Sequence, residues 1–276
     1  MLSYQFMVNA FEAGTIVAIV AGAIGYFVVL RGSSFAAHAL SHIGFAGATG
    51  AIVLGLSPFF GLLAFTSAGG LAIGALGDRL RGRDVTIGIV LAWALGLGVL
   101  FISLYRGYAT EAYALLFGQI LGISSRDVVL SAIFALLTLS ALLIVYRPLL
   151  FASVDEGLAR AKGVPTTALG VVFMLILAVA VSEAVQVVGV LLIFALVVTP
   201  AAVSARLTNR PGRGIIIAVL ISLGCTWVGL GTAYFSPHPV GFFVTSLAFA
   251  AYLAVRAGER LRSALRPRPA PAAPPG

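Results

Sequence analysis

Long apolar runs separated by short polar segments make up most of the chain. A membrane hydrocarbon core of about 30 Å is crossed by about 20 residues of α-helix. Runs of suitable length predict nine spanning helices, at residues 11–30, 36–56, 59–76, 86–105, 128–146, 167–182, 186–205, 214–235 and 241–256. A tenth run, at 112–123, is too short to cross and indicates a re-entrant or interfacial helix. The predicted fold class is therefore an all-α, polytopic helical membrane protein.

The amino-acid composition supports this fold class. Of the 276 residues, 61% are hydrophobic and 9% are charged, whereas soluble chains carry about 25% charged residues. These values exclude a disordered chain and a soluble α/β enzyme. The 32 glycines fit helices that pack closely in lipid. The single cysteine, Cys225, lies in an apolar run and excludes both a disulfide framework and a cysteine-based zinc cluster.

The distribution of basic residues predicts the orientation. They separate the apolar runs instead of forming one face, which argues against a nucleic-acid partner despite the net charge of +8. All of them except Arg106 and Arg126 can lie on one side, provided that 112–123 does not cross. Lys and Arg accumulate in cytoplasmic loops. We therefore expect the N-terminus outside and the C-terminus in the cytoplasm, ending in a disordered tail at 257–276.

Two histidines lie near the start of the second predicted span. His38 and His42 are four residues apart, so both imidazoles project from one face of a helix. Imidazole is a common ligand of divalent transition metals, although hydroxyls or carbonyls nearby could instead cap both rings. The same spacing occurs in zinc metalloproteases, but Ala39 stands where their catalytic Glu would be. The pair therefore predicts metal contact without hydrolysis.

Three other polar residues lie in or near the predicted spans. Glu183 and Gln186 share a helix face at the outer junction of two apolar runs. They could line a metal pathway, or Glu183 could simply face headgroup water. His238, between two prolines, is interpreted as an exposed loop residue.

A polar segment at 154–165 predicts a short cytoplasmic helix between two spans. Its acids come first, its bases follow, and a glycine and a proline end it. These residues are Asp155, Glu156, Arg160, Lys162, Gly163 and Pro165. The helix is either a surface linker or a docking element. No Gly-x-x-x-x-Gly-Lys-Ser/Thr loop is present, so energy for uphill transport must come from a partner chain or an ion gradient.

Five segments in order resemble the permease subunit of bacterial ABC importers of the zinc/manganese family, over about residues 10–256. They are RGSSFAAHALSH at 31–42, DVTIGI at 84–89, LFGQIL at 116–121, DEGLARAKGVP at 155–165 and VGVLLIFALVVTPAA at 188–202. The resemblance implies one transmembrane permease domain at 1–256, with its ATPase-coupling helix at 154–165.

The resemblance also implies partners and a site. The expected partners are two cytoplasmic ABC ATPase subunits, an extracytoplasmic metal-binding protein and a second copy of the chain, in the bacterial cytoplasmic membrane. The permease itself is then not an enzyme and holds no permanent cofactor. His42 and the residue at 38 would line the metal passage. The family usually has Asp where this chain has His38, and Pro where it has Ala46.

The exchange of carboxylate for imidazole favours zinc over manganese, with iron also open, because nitrogen ligands hold zinc better. Two other functions stay open. An ABC permease for a metal chelate, such as a siderophore or cobalamin, would need a wide apolar passage. A gradient-driven carrier often has paired broken helices, and no such repeat is evident.

Overall fold

The computed structural model describes residues 3–76, 83–105, 116–118 and 120–265. These residues form helices and connecting turns without a strand, which confirms the all-α fold. Within the described residues, ten α-helices are defined: α1 (Gln5–Leu30), α2 (Ser34–Val53), α3 (Pro58–Leu76), α4 (Arg83–Leu104), α5 (Ser125–Val154), α6 (Glu156–Ala161), α7 (Thr166–Val188), α8 (Val190–Leu207), α9 (Pro211–Tyr234) and α10 (Val240–Leu265). A 3₁₀ turn, Ile120–Gly122, precedes α5.

Eight of these helices are long and apolar enough to cross a membrane, namely all except α2 and α6. Helix α2 has 20 residues, which is sufficient length, and it carries both histidines of the pair. Helix α6 has six residues and is the predicted short helix between two spans. The eight candidate spans, together with the equally long α2, agree with the prediction of about nine spanning helices.

Helices α1 and α7 form the centre of the bundle. In their most apolar windows, 72% of the residues of α1 and 67% of those of α7 are buried, against 17% in both α4 and α10. Helix α1 packs against α5, α8 and α9, while α7 packs against α3 and α5. Helix α2 lies between α3 and α4 and also contacts α7 and α8. The histidine-bearing helix is thus held inside the bundle.

Helices α1 and α5 run parallel. Near the start of both, Asn9 Nδ2 donates to the Ile123 carbonyl (3.1 Å). Near the end of both, Arg31 Nη1 donates to Ser153 Oγ (3.3 Å). If α2, α3 and α4 each cross once, the segment between α4 and α5 begins and ends on the same side. This supports the prediction that 112–123 does not cross, although part of that segment lies outside the described residues.

The structure corrects the predicted break between the sixth and seventh spans. The sequence placed it at 183–185, but α7 continues through Glu183 and Gln186 to Val188. Gly189 alone joins α7 to α8, with φ +82° and ψ 163°, a conformation restricted to glycine. A carboxyl group can be buried inside a bundle, whereas breaking the helix there would leave backbone groups unpaired.

Helix α10 continues to Leu265. Residues 257–265 of the predicted disordered tail are therefore helical. Glu259, on this part of α10, accepts a hydrogen bond from Arg206 at the end of α8 (2.8 Å). The rest of the tail, 266–276, lies outside the described residues.

Candidate metal site

The two histidines of α2 converge as their spacing predicts. The ring centroids of His38 and His42 are 4.6 Å apart, with an interplanar angle of 77°. The Nδ1 atom of each ring is buried and has no hydrogen-bond partner among the described residues. Buried polar groups in proteins are nearly always paired. Two adjacent imidazoles with unpaired nitrogens are therefore suited to bind something that is not part of the chain.

Neighbouring hydroxyl groups do not cap the two histidine rings, contrary to the alternative interpretation of the pair. The nearby hydroxyl of Ser41 donates to the carbonyl of Ala37, one turn back along α2 (3.1 Å). Ser33, which precedes α2, directs its hydroxyl to the carbonyl of Arg31 (3.5 Å). Both hydroxyls are thus engaged with the backbone of their own segment, and the imidazole pair keeps its unpaired Nδ1 atoms.

A third ring, not singled out by the sequence, lies against one ring of the pair. Phe194 of α8 lies against His38, with ring centroids 5.0 Å apart and an interplanar angle of 69°. This residue lies inside the segment 188–202 that resembles the family, but apolar periodicity does not distinguish it from its neighbours. Only the packing of α8 beside α2 reveals the contact.

Glu183 is buried in α7 and separate from the histidines. Its side chain is 2% exposed, and neither carboxyl oxygen has a hydrogen-bond partner among the described residues. The Ser131 hydroxyl of α5 approaches the carboxyl group without completing a hydrogen bond. Such burial rules out the interpretation that Glu183 faces headgroup water in this conformation. Gln186, one turn further along, is partly buried.

The described residues contain no group of three or more His, Cys, Asp or Glu side chains placed to hold an ion together. Glu183 is therefore not a third ligand beside His38 and His42 in this conformation. His238 is exposed, as predicted, and its Nδ1 is hydrogen-bonded to the Ser236 hydroxyl (2.6 Å).

The predicted short helix is α6, and its local structure follows the sequence. Asp155 caps it by accepting a hydrogen bond from the Leu158 amide (2.8 Å). Glu156 and Arg160 form an ion pair one turn apart. The helix ends at Ala161, the exposed Lys162 is its C-cap residue, and Gly163 follows at φ +82°. Pro165 then precedes α7.

Helix α6 is anchored by one face and exposes the other. Its Ala159 is fully buried in a small apolar cluster with Ala152 of α5 and Leu169 of α7. The preceding residue, Leu158, points away from this cluster and is 48% exposed. The charged side chains of Glu156, Arg160 and Lys162 are exposed around it.

Known proteins resemble this chain over nearly its whole length. The family model of the ABC 3 transport family matches residues 3–258. The manganese transport system membrane protein MntC of Listeria monocytogenes is 33% identical over 235 residues, covering 85% of this chain and 84% of MntC. The chelated iron transport system membrane protein YfeC of Yersinia pestis is 30% identical over 252 residues, covering 91% and 85%.

A solved structure agrees with these matches. PsaBC from Streptococcus pneumoniae in complex with a Fab aligns with a TM-score of 0.82 and 30% identity, covering 91% of both chains. The matched residues include the histidine pair and all ten described helices, apart from the last turns of α10. The chain therefore belongs to the ABC 3 transport family of membrane proteins, and the relatives named here are membrane subunits of metal transport systems.

Proposed function

We propose that the chain is the permease subunit of an ATP-driven importer of divalent metal ions, with manganese as its main cargo. The observation that carries the proposal is the imidazole pair of α2, whose buried Nδ1 atoms have no partner among the described residues. The manganese relative and its level of identity support the choice of ion. The expectation of zinc, drawn from imidazole chemistry alone, has no support from the relatives.

A weak site suits transport better than a strong one. Affinity of nitrogen ligands rises from manganese towards copper, with zinc well above manganese. Two imidazoles therefore hold manganese loosely, so that it can leave on the other side. Zinc would bind the same pair more tightly and leave more slowly. We propose that zinc enters the pathway mainly as an inhibitor.

A homodimer would enlarge the ligand set. One chain supplies two imidazoles, and the described residues hold no third ligand beside them. If the passage lies at or near the interface between two copies, the pairs of both subunits can face one ion. Water would fill any further positions. Such an incomplete set fits transient binding, unlike the closed four-ligand sites of structural zinc.

Coupling to ATP hydrolysis is assigned to α6. The chain has no phosphate-binding loop of the P-loop type, so cytoplasmic ATPase subunits would supply the energy. The exposed Leu158 and the charged side chains around it would dock on such a subunit. Because Ala159 packs against both α5 and α7, a push on α6 would move both helices and shift the bundle between outward-open and inward-open states.

The orientation proposed from the basic residues agrees with this assignment. Arg31, at the end of α1, contacts Ser153 beside α6. With α6 in the cytoplasm, the N-terminus lies outside and receives the ion from an extracytoplasmic binding protein. The protein then resides in the bacterial cytoplasmic membrane.

Uptake by the reconstituted transporter tests the function. We expect the chain to co-purify with an ABC ATPase subunit and to import radioactive manganese into proteoliposomes only with ATP. Excess zinc should inhibit this uptake, whereas chelated iron should not. Competition by chelated iron would favour the chelate permease that the YfeC relative suggests. Uptake driven by an ion gradient without ATP would favour a secondary carrier.

Glu183 is proposed to attract the cation towards the pair when the pathway opens outward. A buried carboxyl group without partners is costly, and in membrane proteins such groups mark ion pathways. Glu183→Gln keeps the shape and removes the charge. We expect about tenfold lower manganese uptake at limiting concentrations, recovered at saturating concentrations.

The matched control is Glu12→Gln, which neutralises an exposed carboxyl group near the start of α1. It should leave uptake unchanged. Equal uptake by wild type and Glu183→Gln across all concentrations would remove Glu183 from the pathway.

A further inference from the structure

The imidazole of His38 is oriented by ring contacts. Metal-binding histidines usually donate their second ring nitrogen to a carboxylate, a carbonyl or water, which fixes the ring. Here no hydrogen bond to a described residue fixes the His38 ring, whose Nδ1 is the unpaired nitrogen assigned to the ion. The rings of His42 and Phe194 instead lie at 4.6 Å and 5.0 Å. Both contacts are close to edge-to-face, an attractive arrangement for aromatic rings.

The backbone fixes the position of Phe194 on both sides. Before it, Gly189 joins α7 to α8, and its carbonyl accepts the first hydrogen bond of α8, from Ile193 (3.3 Å). A Cβ atom on Gly189 would lie 2.7 Å from the carbonyl oxygen of Leu116, which is too close for any other residue. After Phe194, the carbonyl of Val197 lies directly against Gly25 of α1. Helix α8 therefore has little freedom to move the ring in this conformation.

We infer that Phe194 is a positioning residue for metal binding, holding the His38 ring so that both imidazoles of α2 face one ion. This inference rests on the proposed function, because it assigns a partner to the same histidine pair. Phe194 does not ligate the ion. It replaces the hydrogen bond that usually orients a metal-binding histidine. A change in the position of α8 would free the His38 ring to rotate. The packing of α8 would therefore control the affinity of the histidine pair for the metal ion.

The test measures manganese uptake at graded concentrations by the complete transporter in proteoliposomes. Phe194→Leu removes the ring, and Phe194→Tyr retains it. Phe249→Leu on α10, where the side chain is 60% exposed, is the matched control. We expect Phe194→Leu to raise KM about three- to tenfold, the value of one aromatic contact. Phe194→Tyr and Phe249→Leu should both keep the KM of the wild type.

A second background separates positioning from general packing. His38→Asp places a carboxylate at position 38, where the zinc/manganese importer family usually has one. It leaves no imidazole ring for Phe194 to contact. In that background Phe194→Leu should leave KM unchanged. An equal rise in both backgrounds, or no rise with His38 present, would overturn the inference. If His38→Asp imports no manganese, the Phe194→Tyr variant decides. A KM raised as much by Phe194→Tyr as by Phe194→Leu also overturns the inference.

The two proposals fail in different ways. Uptake that persists at the wild-type level after both histidines are replaced would contradict the proposed function itself. Uptake that depends on the histidines but not on the ring at Phe194 would contradict only the positioning role.

Discussion

Replacing His38 and His42 together with alanine is expected to lower ATP-dependent manganese uptake by about a hundredfold or more. Changing even the residues that merely orient a metal ligand costs about 10–100-fold, and this variant removes both ligands that one chain supplies. The residual manganese uptake should no longer be lowered by zinc, because both ions are assigned to the same nitrogens. Manganese uptake into proteoliposomes, measured with and without zinc, tests both expectations.

The third histidine of the chain provides the control. His238→Ala makes the same exchange in an exposed loop, where the ring is hydrogen-bonded to a neighbouring serine hydroxyl and lies near Phe243. This variant should import manganese at the wild-type rate. The double variant should still unfold at the wild-type temperature and retain basal ATP hydrolysis with its ATPase subunit. Normal import by the double variant would show that the ion takes another route.

Gly189→Ala is expected to have the largest effect on stability. The position has φ +82° and ψ 163°, which side chains other than glycine avoid, at a cost of about 1–3 kcal/mol. The added methyl group would also meet the backbone of residues 116–118, and overpacking costs about 1–3 kcal/mol more. The loss should therefore reach about 4 kcal/mol, with uptake abolished because α8 and Phe194 are displaced.

Gly55→Ala separates conformational strain from steric contact. Gly55 also has a positive φ, of 70°, but nothing lies within 4 Å of the position that a Cβ would take. Its loss should be about 1 kcal/mol. The midpoint of thermal unfolding in detergent, measured for both variants, makes the comparison. Equal shifts of the unfolding midpoint in the two variants would mean that the close contact between residues 116–118 and Gly189 adds nothing to the cost of a side chain there.

Local features of the site were predictable because they depend on near neighbours in sequence. The four-residue spacing of His38 and His42 places both rings on one helix face, whatever the helix packs against. Asp155 caps α6 through an amide three residues away, and Gly163 ends that helix through its own backbone freedom. None of these features needs a tertiary contact.

Features that depend on distant segments were missed or misplaced. The break between α7 and α8 was expected near Glu183, because a charged residue interrupts an apolar run. It occurs at Gly189, where the backbone of residues 116–118 approaches too closely for a side chain. Phe194 was not recognised, since one phenylalanine among 18 carries no signal without its neighbours.

The sequence by itself determined that the chain is a bundle of membrane-spanning helices, because a backbone in lipid must satisfy its hydrogen bonds within each helix. It also determined that two imidazoles meet on α2 and that a capped, charged helix joins two spans. Only the tertiary structure decided that Glu183 is buried apart from the histidines, and that α8 brings a ring against His38. Hydropathy records how apolar a helix is, but which face meets which neighbour depends on packing between residues far apart in the chain.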